Sequence, residues 1–276
     1  MQKFYKIYNK YLKNSTKNFV FIQKNNIFVS NTNAIMSKLK GRLYSTDAQI
    51  DAELIKFLNS HLYGDYIQMV HTTNKVEQVS GIDGYLTIKD LGIFSAPCDE
   101  KCSSHYVNNP LPTFLMETGT RDKNGEYRLG WFLQPNIKTE YYILMYPYAN
   151  VNKSDNGKWK YWEITEENIT KIDFWIVKKS NIEKWFMNQG FNYTDFVDKT
   201  LELQANYKQN SSCDKPVKIY ANYKKGFHMV ASPFYVEHPI NLCILIEKYV
   251  NEMNAIWGTV LKTDNGIKKQ DLYKKR

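Results

Sequence analysis

At Tyr63-Gly64-Asp65 the hydrophobic pattern changes period, and this change constrains the fold more than any other feature of the chain. Before it, Ile50, Leu54, Phe57, Leu58 and Leu62 recur at the spacing of one helical face. Thr46-Asp47-Ala48-Gln49 has the form of a capping box, so a helix is expected to begin at Thr46. After it, residues 66–71, 76–88, 93–102, 113–118 and 140–146 are rich in β-branched and aromatic side chains and read as strands, with Asp90-Leu91-Gly92 as a turn and 121–128 as a polar loop. Further on, 181–190, 193–206 and 239–257 have helical spacing, the last with Pro239 at its first turn, while 227–232 reads as a short strand. A helix, then strands, then helices predict an α/β domain in which 46–150 form the core and 151–265 a mixed, mainly helical completion.

Charge divides the chain differently. The formal net charge is +9, but the first 46 residues hold nine Lys/Arg and no acid, which leaves the remaining 28 bases matched by 28 acids. Net charge on the body is therefore no argument for nucleic acid; only a local basic groove could be. Residues 1–45 read as a basic extension with three possible meanings: a leader ahead of a true start at Met36, an arm adding phosphate contacts, or an organellar transit peptide. Residues 266–276 form a basic tail. No apolar run approaches the roughly 18 residues of a membrane span. Four cysteines without an apolar h-region near Met1 point to reduced thiols, so a soluble cytoplasmic protein is expected, with no membrane partner.

The residues suited to chemistry lie in Gly81-Ile82-Asp83-Gly84 and, after a hairpin, Cys98-Asp99-Glu100-Lys101-Cys102. Side chains alternate along a strand, so Asp99 and Lys101 share a face and Glu100 takes the other. Two carboxylates from neighbouring strands beside an ammonium suit metal-assisted phosphodiester hydrolysis, because hard oxygens hold Mg²⁺ and the ammonium positions the attacking water or helps deprotonate it. A bulge at Pro97 would shift the parity and make Glu100 a metal ligand in place of Asp99. Glu117 on the next strand is either a further carboxylate of the site or a partner of Arg121. His105 lies close enough to the motif to touch phosphate, whereas His71, His228 and His238 are scattered. Cys98 and Cys102 read as structural thiols.

Asp83 followed by Asp99-Glu100-Lys101 resembles the Asp…(Asp/Glu)-x-Lys signature of the PD-(D/E)XK nuclease superfamily, with Ile82 where the name-giving proline would stand. The likeness covers about 46–150 and takes in Glu53 as an accessory acid, Glu77-Gln78, Phe114–Glu117, Gly130-Trp131 and Thr139–Tyr142. It implies a restriction-endonuclease-like mixed central sheet flanked by helices, with a helical C-terminal part. It also implies cleavage of DNA in a bacterial or phage-infected cell, with Mg²⁺ or Mn²⁺ and leaving 5′-phosphate ends, by Asp83, Asp99 and Lys101 with Glu53 and Glu117 in support; a homodimer is one possible assembly. The competing readings are a non-cleaving nucleic-acid-binding module on the same fold, and a phage interaction protein whose aromatic C-terminal half forms an oligomer interface.

Overall fold

The computed structural model describes residues 32–122, 124–209, 217–219, 226–232 and 237–262. Most of the basic extension, Cys213 and the basic tail lie outside them. The chain divides into a unit Met1–Gln49 and a unit Ile50–Arg276. The described part of the first is the start of helix α1 (Thr32–His61). The helix therefore does not begin at Thr46, and the capping-box residues fall in its interior. Residues 32–45 contain no proline and include the helix formers Ala34, Met36, Leu39 and Arg42, so no strong breaker stands ahead of Thr46.

In the second unit, two sheets carry the architecture. Sheet A orders β1 (Gln68–His71), β2 (Gly84–Ile88), β3 (Ile93–Cys102), β6 (Tyr141–Ala149), β7 (Ile169–Lys178) and β11 (Ile256–Leu261). Sheet B orders β5 (Tyr127–Leu129), β4 (Thr113–Arg121), β10 (Ile240–Leu245), β9 (Phe227–Ala231) and β8 (Val217–Ile219). All the described pairings are antiparallel except β3 with β6, which runs parallel from Cys98↔Tyr141 to Cys102↔Met145. The chain leaves β3, builds β4 and β5 of the other sheet, and returns to sheet A as β6. Such a return is what a parallel pair needs, because its strands cannot be joined by a tight turn.

Each face of sheet A packs into its own apolar layer, as expected of strands buried on both sides. On the first face, Ile50, Leu54, Phe57, Leu58 and Leu62 of α1 pack with Leu86, Cys98, Ile143, Met145, Phe174 and Ile176. On the second, Tyr142, Leu144, Tyr146, Trp175 and Val177 pack with Phe114 and Met116 of β4, Leu242 and Ile244 of β10, and the C-terminal helices. Phe57 is 0% exposed, and Phe57→Ala is expected to cost about 3–5 kcal/mol. A chemical denaturation midpoint unchanged by that substitution would show that α1 does not seal this layer.

Several local expectations are corrected. Residues 76–79 are not extended: Asn74 accepts a hydrogen bond from the Val76 amide and caps a short helix α2 (Lys75–Val79), overriding the strand preference of two valines. The segment 239–257 is not one helix but β10, a short α5 (Ile246–Asn251, numbered after α3 and α4 below) and the start of β11. Ile240, Leu242 and Ile244 also satisfy a period of two, and their place between β4 and β9 decides in favour of strand. The C-terminal part is accordingly not mainly helical: it carries β7 to β11 beside α3 (Lys179–Asn188), α4 (Tyr193–Gln209) and α5. Strand β7 has no counterpart in the sequence reading. Among the described residues no helix is long and apolar enough to cross a membrane.

Candidate functional site

Strand β3 places two different chemistries back to back. Asp99 pairs with Tyr142 and Lys101 with Leu144, both of the second layer, whereas Cys98, Glu100 and Cys102 pair with Tyr141, Ile143 and Met145 on the first-layer side. Pairing with β2 runs unbroken through Leu86↔Ala96, Tyr85↔Pro97 and Gly84↔Cys98, so Pro97 introduces no bulge. The irregularity lies earlier, between Leu86 and Ile88, opposite the stretch where Ser95 adopts a positive φ of 47°.

Asp83 comes from the loop before β2. Its amide donates to the Cys98 carbonyl at 2.8 Å and its Oδ2 accepts from the Glu100 amide at 2.9 Å, so β3 fixes both the backbone and the carboxylate. On the other side, Gly84 lets β1 approach β2 closely: a Cβ there would lie 2.6 Å from the Val70 carbonyl oxygen. Asp83 lies close enough to the buried Asp99 to act on its carboxyl. Burial first, and then Asp83, push the Asp99 carboxyl up to about 7, against the pull of Lys101. The Lys101 ammonium lies 2.6 Å from Asp99 Oδ1. Burial would lower its pKa, but the Asp99 and Asp83 carboxylates prevail and hold it above the ordinary lysine value.

A second strand and its following loop close over this group. The register of β4 on β10 slips between Ile240↔Gly119 and Asn241↔Glu117, a bulge that re-aims the β4 side chains. The Glu117 carboxyl is pushed up to about 7, mainly by burial and against the pull of the Lys101 charge; its backbone carbonyl accepts from the Phe132 amide at 3.0 Å. The Trp131 ring lies 4.9 Å from Lys101 Nζ and 5.3 Å from the Tyr142 ring. Gly130 lies flat on Glu117, where a Cβ would come within 2.5 Å of the Glu117 carbonyl oxygen. Gly130→Ala is therefore expected to cost on the order of 2 kcal/mol, read as a lowered denaturation midpoint. An unchanged midpoint would mean that this turn yields freely.

The other candidates sit apart from this cluster. Glu100 faces away: its carboxylate accepts from the Tyr63 hydroxyl and pairs with His71 Nε2 at 2.8 Å, a bond that raises the histidine pKa. Glu53 is held by Lys56 and by the Glu166 amide at 2.8 Å. Glu77 takes hydrogen bonds from Thr72 and from the Tyr85 hydroxyl. Arg121 turns its Nε to the Gly125 carbonyl instead of pairing with Glu117. His105 packs on Tyr161 with ring centroids 3.9 Å apart. Among the described residues, Cys98, Cys102 and Cys243 are not in disulfides.

Sequence reasoning did not assign Tyr63, His71 or Trp131 to the site. One signal pointed to the first two: strand alternation drives the Glu100 carboxylate toward an apolar layer, where it must find donors. Nothing local marks Trp131, which reaches Lys101 only because β4 and β5 belong to the other sheet.

Asp83 and Asp99 are hard oxygen donors whose mutual repulsion a cation would relieve. Two carboxylates suit Mg²⁺, which keeps several waters and takes substrate oxygens, better than a closed structural metal site. Among the described residues no group of three or more His, Cys, Asp or Glu side chains is arranged to hold a metal ion. Comparison of the chain with protein-family models, curated proteins and solved structures finds no match.

Proposed function

We propose that the protein is a metal-dependent phosphodiesterase of the PD-(D/E)XK type that cleaves DNA, with Asp83 and Asp99 as the metal ligands. The observation that carries this reading is the convergence on β3 of Asp83, whose Oδ2 accepts from the Glu100 amide at 2.9 Å, with Asp99 and with Lys101, whose ammonium lies 2.6 Å from Asp99. Further support comes from the order of elements: a helix, a strand, Asp83, a hairpin ending in Asp99 and Lys101, and a parallel neighbour to β3 in a mixed sheet. Helical cover on the first face of that sheet fits a restriction-endonuclease-like core, although sheet B takes much of the place of helices on the second.

A bound Mg²⁺ would supply Lewis acidity toward the phosphate and a more acidic water. The chain's own residues do the rest. Asp83 and Asp99 hold the cation, Asp83 being oriented by the Glu100 amide. Lys101, charged at neutral pH, stabilises the attacking oxygen and the phosphate oxygens rather than acting as a base.

The test is cleavage of supercoiled, linear and single-stranded DNA with Mg²⁺, Mn²⁺ or chelator, comparing the native chain with Asp83→Ala. Metal-dependent cutting is expected, reduced by about a hundredfold or more in the variant. Nucleic-acid binding without cutting in any metal would replace this reading by the non-cleaving module.

A further inference from the structure

Strands β1 and β3 are not neighbours, yet their side chains meet above β2. His71 of β1 and Cys98 of β3 both pair with Gly84. Residues paired in this way share a face, and Gly84 puts no side chain on it; a Cβ there would lie 2.7 Å from Met69 Cε and 3.0 Å from His71 Cα. Across this gap the Cys98 thiol meets Met69 Sδ at 3.4 Å, and His71 Nε2 donates to Glu100 Oε2 at 2.8 Å. The Tyr63 hydroxyl donates to the other oxygen of the same carboxylate, and its ring stands edge-on to the His71 ring with centroids 5.8 Å apart. The Glu100 side chain is 8% exposed, so these two donors take the place of water.

The backbone of Glu100 serves the opposite face. Gly84↔Cys98 is the last pair of β2 with β3 in this direction, and beyond it the Glu100 amide donates to Asp83 Oδ2 at 2.9 Å instead of to a ladder carbonyl. The Asp83 main chain is fixed separately: the Thr72 amide donates to its carbonyl at 2.9 Å, and its own amide donates to the Cys98 carbonyl at 2.8 Å. What aims the carboxylate is therefore the Glu100 amide. Strand β6 holds Glu100 from one side through its pairing with Ile143; toward β1, past the end of β2, the bonds of the Glu100 side chain hold it. A buried carboxylate that loses a donor is driven toward water, and its backbone follows.

We propose that His71 is a positioning residue for Asp83: reaching across Gly84, it holds Glu100 so that the Glu100 amide aims the Asp83 carboxylate. This rests on the reading of Asp83 as a metal ligand, and it gives a histidine of the sheet edge an influence on metal affinity without contact with metal or substrate. The role needs a donor at the place of Nε2, which a glutamine amide supplies and alanine does not.

The experiment compares His71→Gln, His71→Ala and Tyr63→Phe in the full chain, with Asp83→Ala as control and folding checked by thermal unfolding. Hydrogen exchange of the Glu100 amide is followed in protein isotope-labelled on glutamate, its signal assigned by its loss in Glu100→Gln, and the Mg²⁺ dependence of DNA cleavage is measured alongside. Asp83→Ala and His71→Ala are each expected to speed exchange of that amide by about tenfold, the worth of one hydrogen bond to a charged group. His71→Ala is also expected to raise the Mg²⁺ concentration for half-maximal cleavage by about ten- to a hundredfold, with kcat at saturating Mg²⁺ little changed. His71→Gln should return both readings to within a few-fold of native, and Tyr63→Phe should shift both in the direction of His71→Ala. Native exchange of the Glu100 amide in His71→Ala would overturn the proposal, and so would a His71→Gln variant as impaired as His71→Ala. If His71→Ala does not fold, Tyr63→Phe decides, native exchange in it being the overturning result. Should the native chain cut no DNA, the nuclease reading falls, and exchange of the Glu100 amide alone decides whether His71 positions Asp83.

Discussion

Lys101→Met is expected to reduce cleavage by about a hundred- to a thousandfold, the usual cost of removing a preorganised charge from a reacting phosphate, while leaving the protein folded. Folding survives because Asp99 need not stay charged. Its carboxyl already titrates up to about 7 beside the ammonium, which pulls it down. Without Lys101 that pull is lost, the pKa rises further, and at neutral pH the acid takes up a proton instead of remaining a buried, unpaired anion. Circular dichroism and thermal unfolding check the fold, and initial rates of DNA cleavage check the loss. A variant that cuts at the native rate would remove Lys101 from the mechanism.

Without divalent cations, thermal stability is expected to fall as pH rises from 5 to 8. Asp99 and Glu117 both have folded pKa values raised to about 7, and the pairing with Glu100 raises His71 as well. A group with a raised folded pKa contributes stability that is fully present below its unfolded value and lost as pH climbs through its folded value. For the two acids that window opens near pH 4 and closes near 7; for His71 it opens near 6.5 and extends above. The combined loss is on the order of a few kcal/mol, at roughly 2–4 °C per kcal/mol for a chain of this size. Below about pH 4 the slope reverses, because Glu53, Glu77, Asp122, Glu163 and Glu252 have lowered values and withdraw their contribution as they protonate. Asp99→Asn should flatten the descent above pH 5. Added Mg²⁺ should do the same by favouring the ionised pair. A melting temperature that rises steadily from pH 5 to 8 in both the native chain and Asp99→Asn would contradict the close approach of these carboxylates.

What could be read from the sequence was what depends on neighbours along the chain. The buried face of α1 was visible in five apolar positions, and β3 was expected over the residues it occupies, Ile93 to Cys102, so the separation of Asp99 and Lys101 from Glu100 followed from the strand period. The failures lie where distant chain decides. Thr46 has the chemistry of a cap, but a cap acts only where the helix has an end. The run after Pro239 fits a helix and a strand equally well until β4 and β9 offer edges on both sides. The likeness that drew attention to Asp83 could not show that Glu100 would spend its carboxylate on Tyr63 and His71. It also could not show that sheet B would bring Glu117 and Trp131 over the lysine.

The polar ties of Glu100 work as a lock on alignment. Side chains alternate, so a shift of β3 by one residue against β2 and β6 would turn Asp99 into the apolar layer under α1 and present Glu100 to the other sheet. Both faces of sheet A meet apolar layers, so hydrophobicity alone does not choose between the two alignments. The bonds from Tyr63 and His71 to the Glu100 carboxylate, with the bond from the Glu100 amide to Asp83, exist in one alignment alone. The acid that takes no part in the proposed chemistry is thereby the one that tells the strand which of its neighbours should.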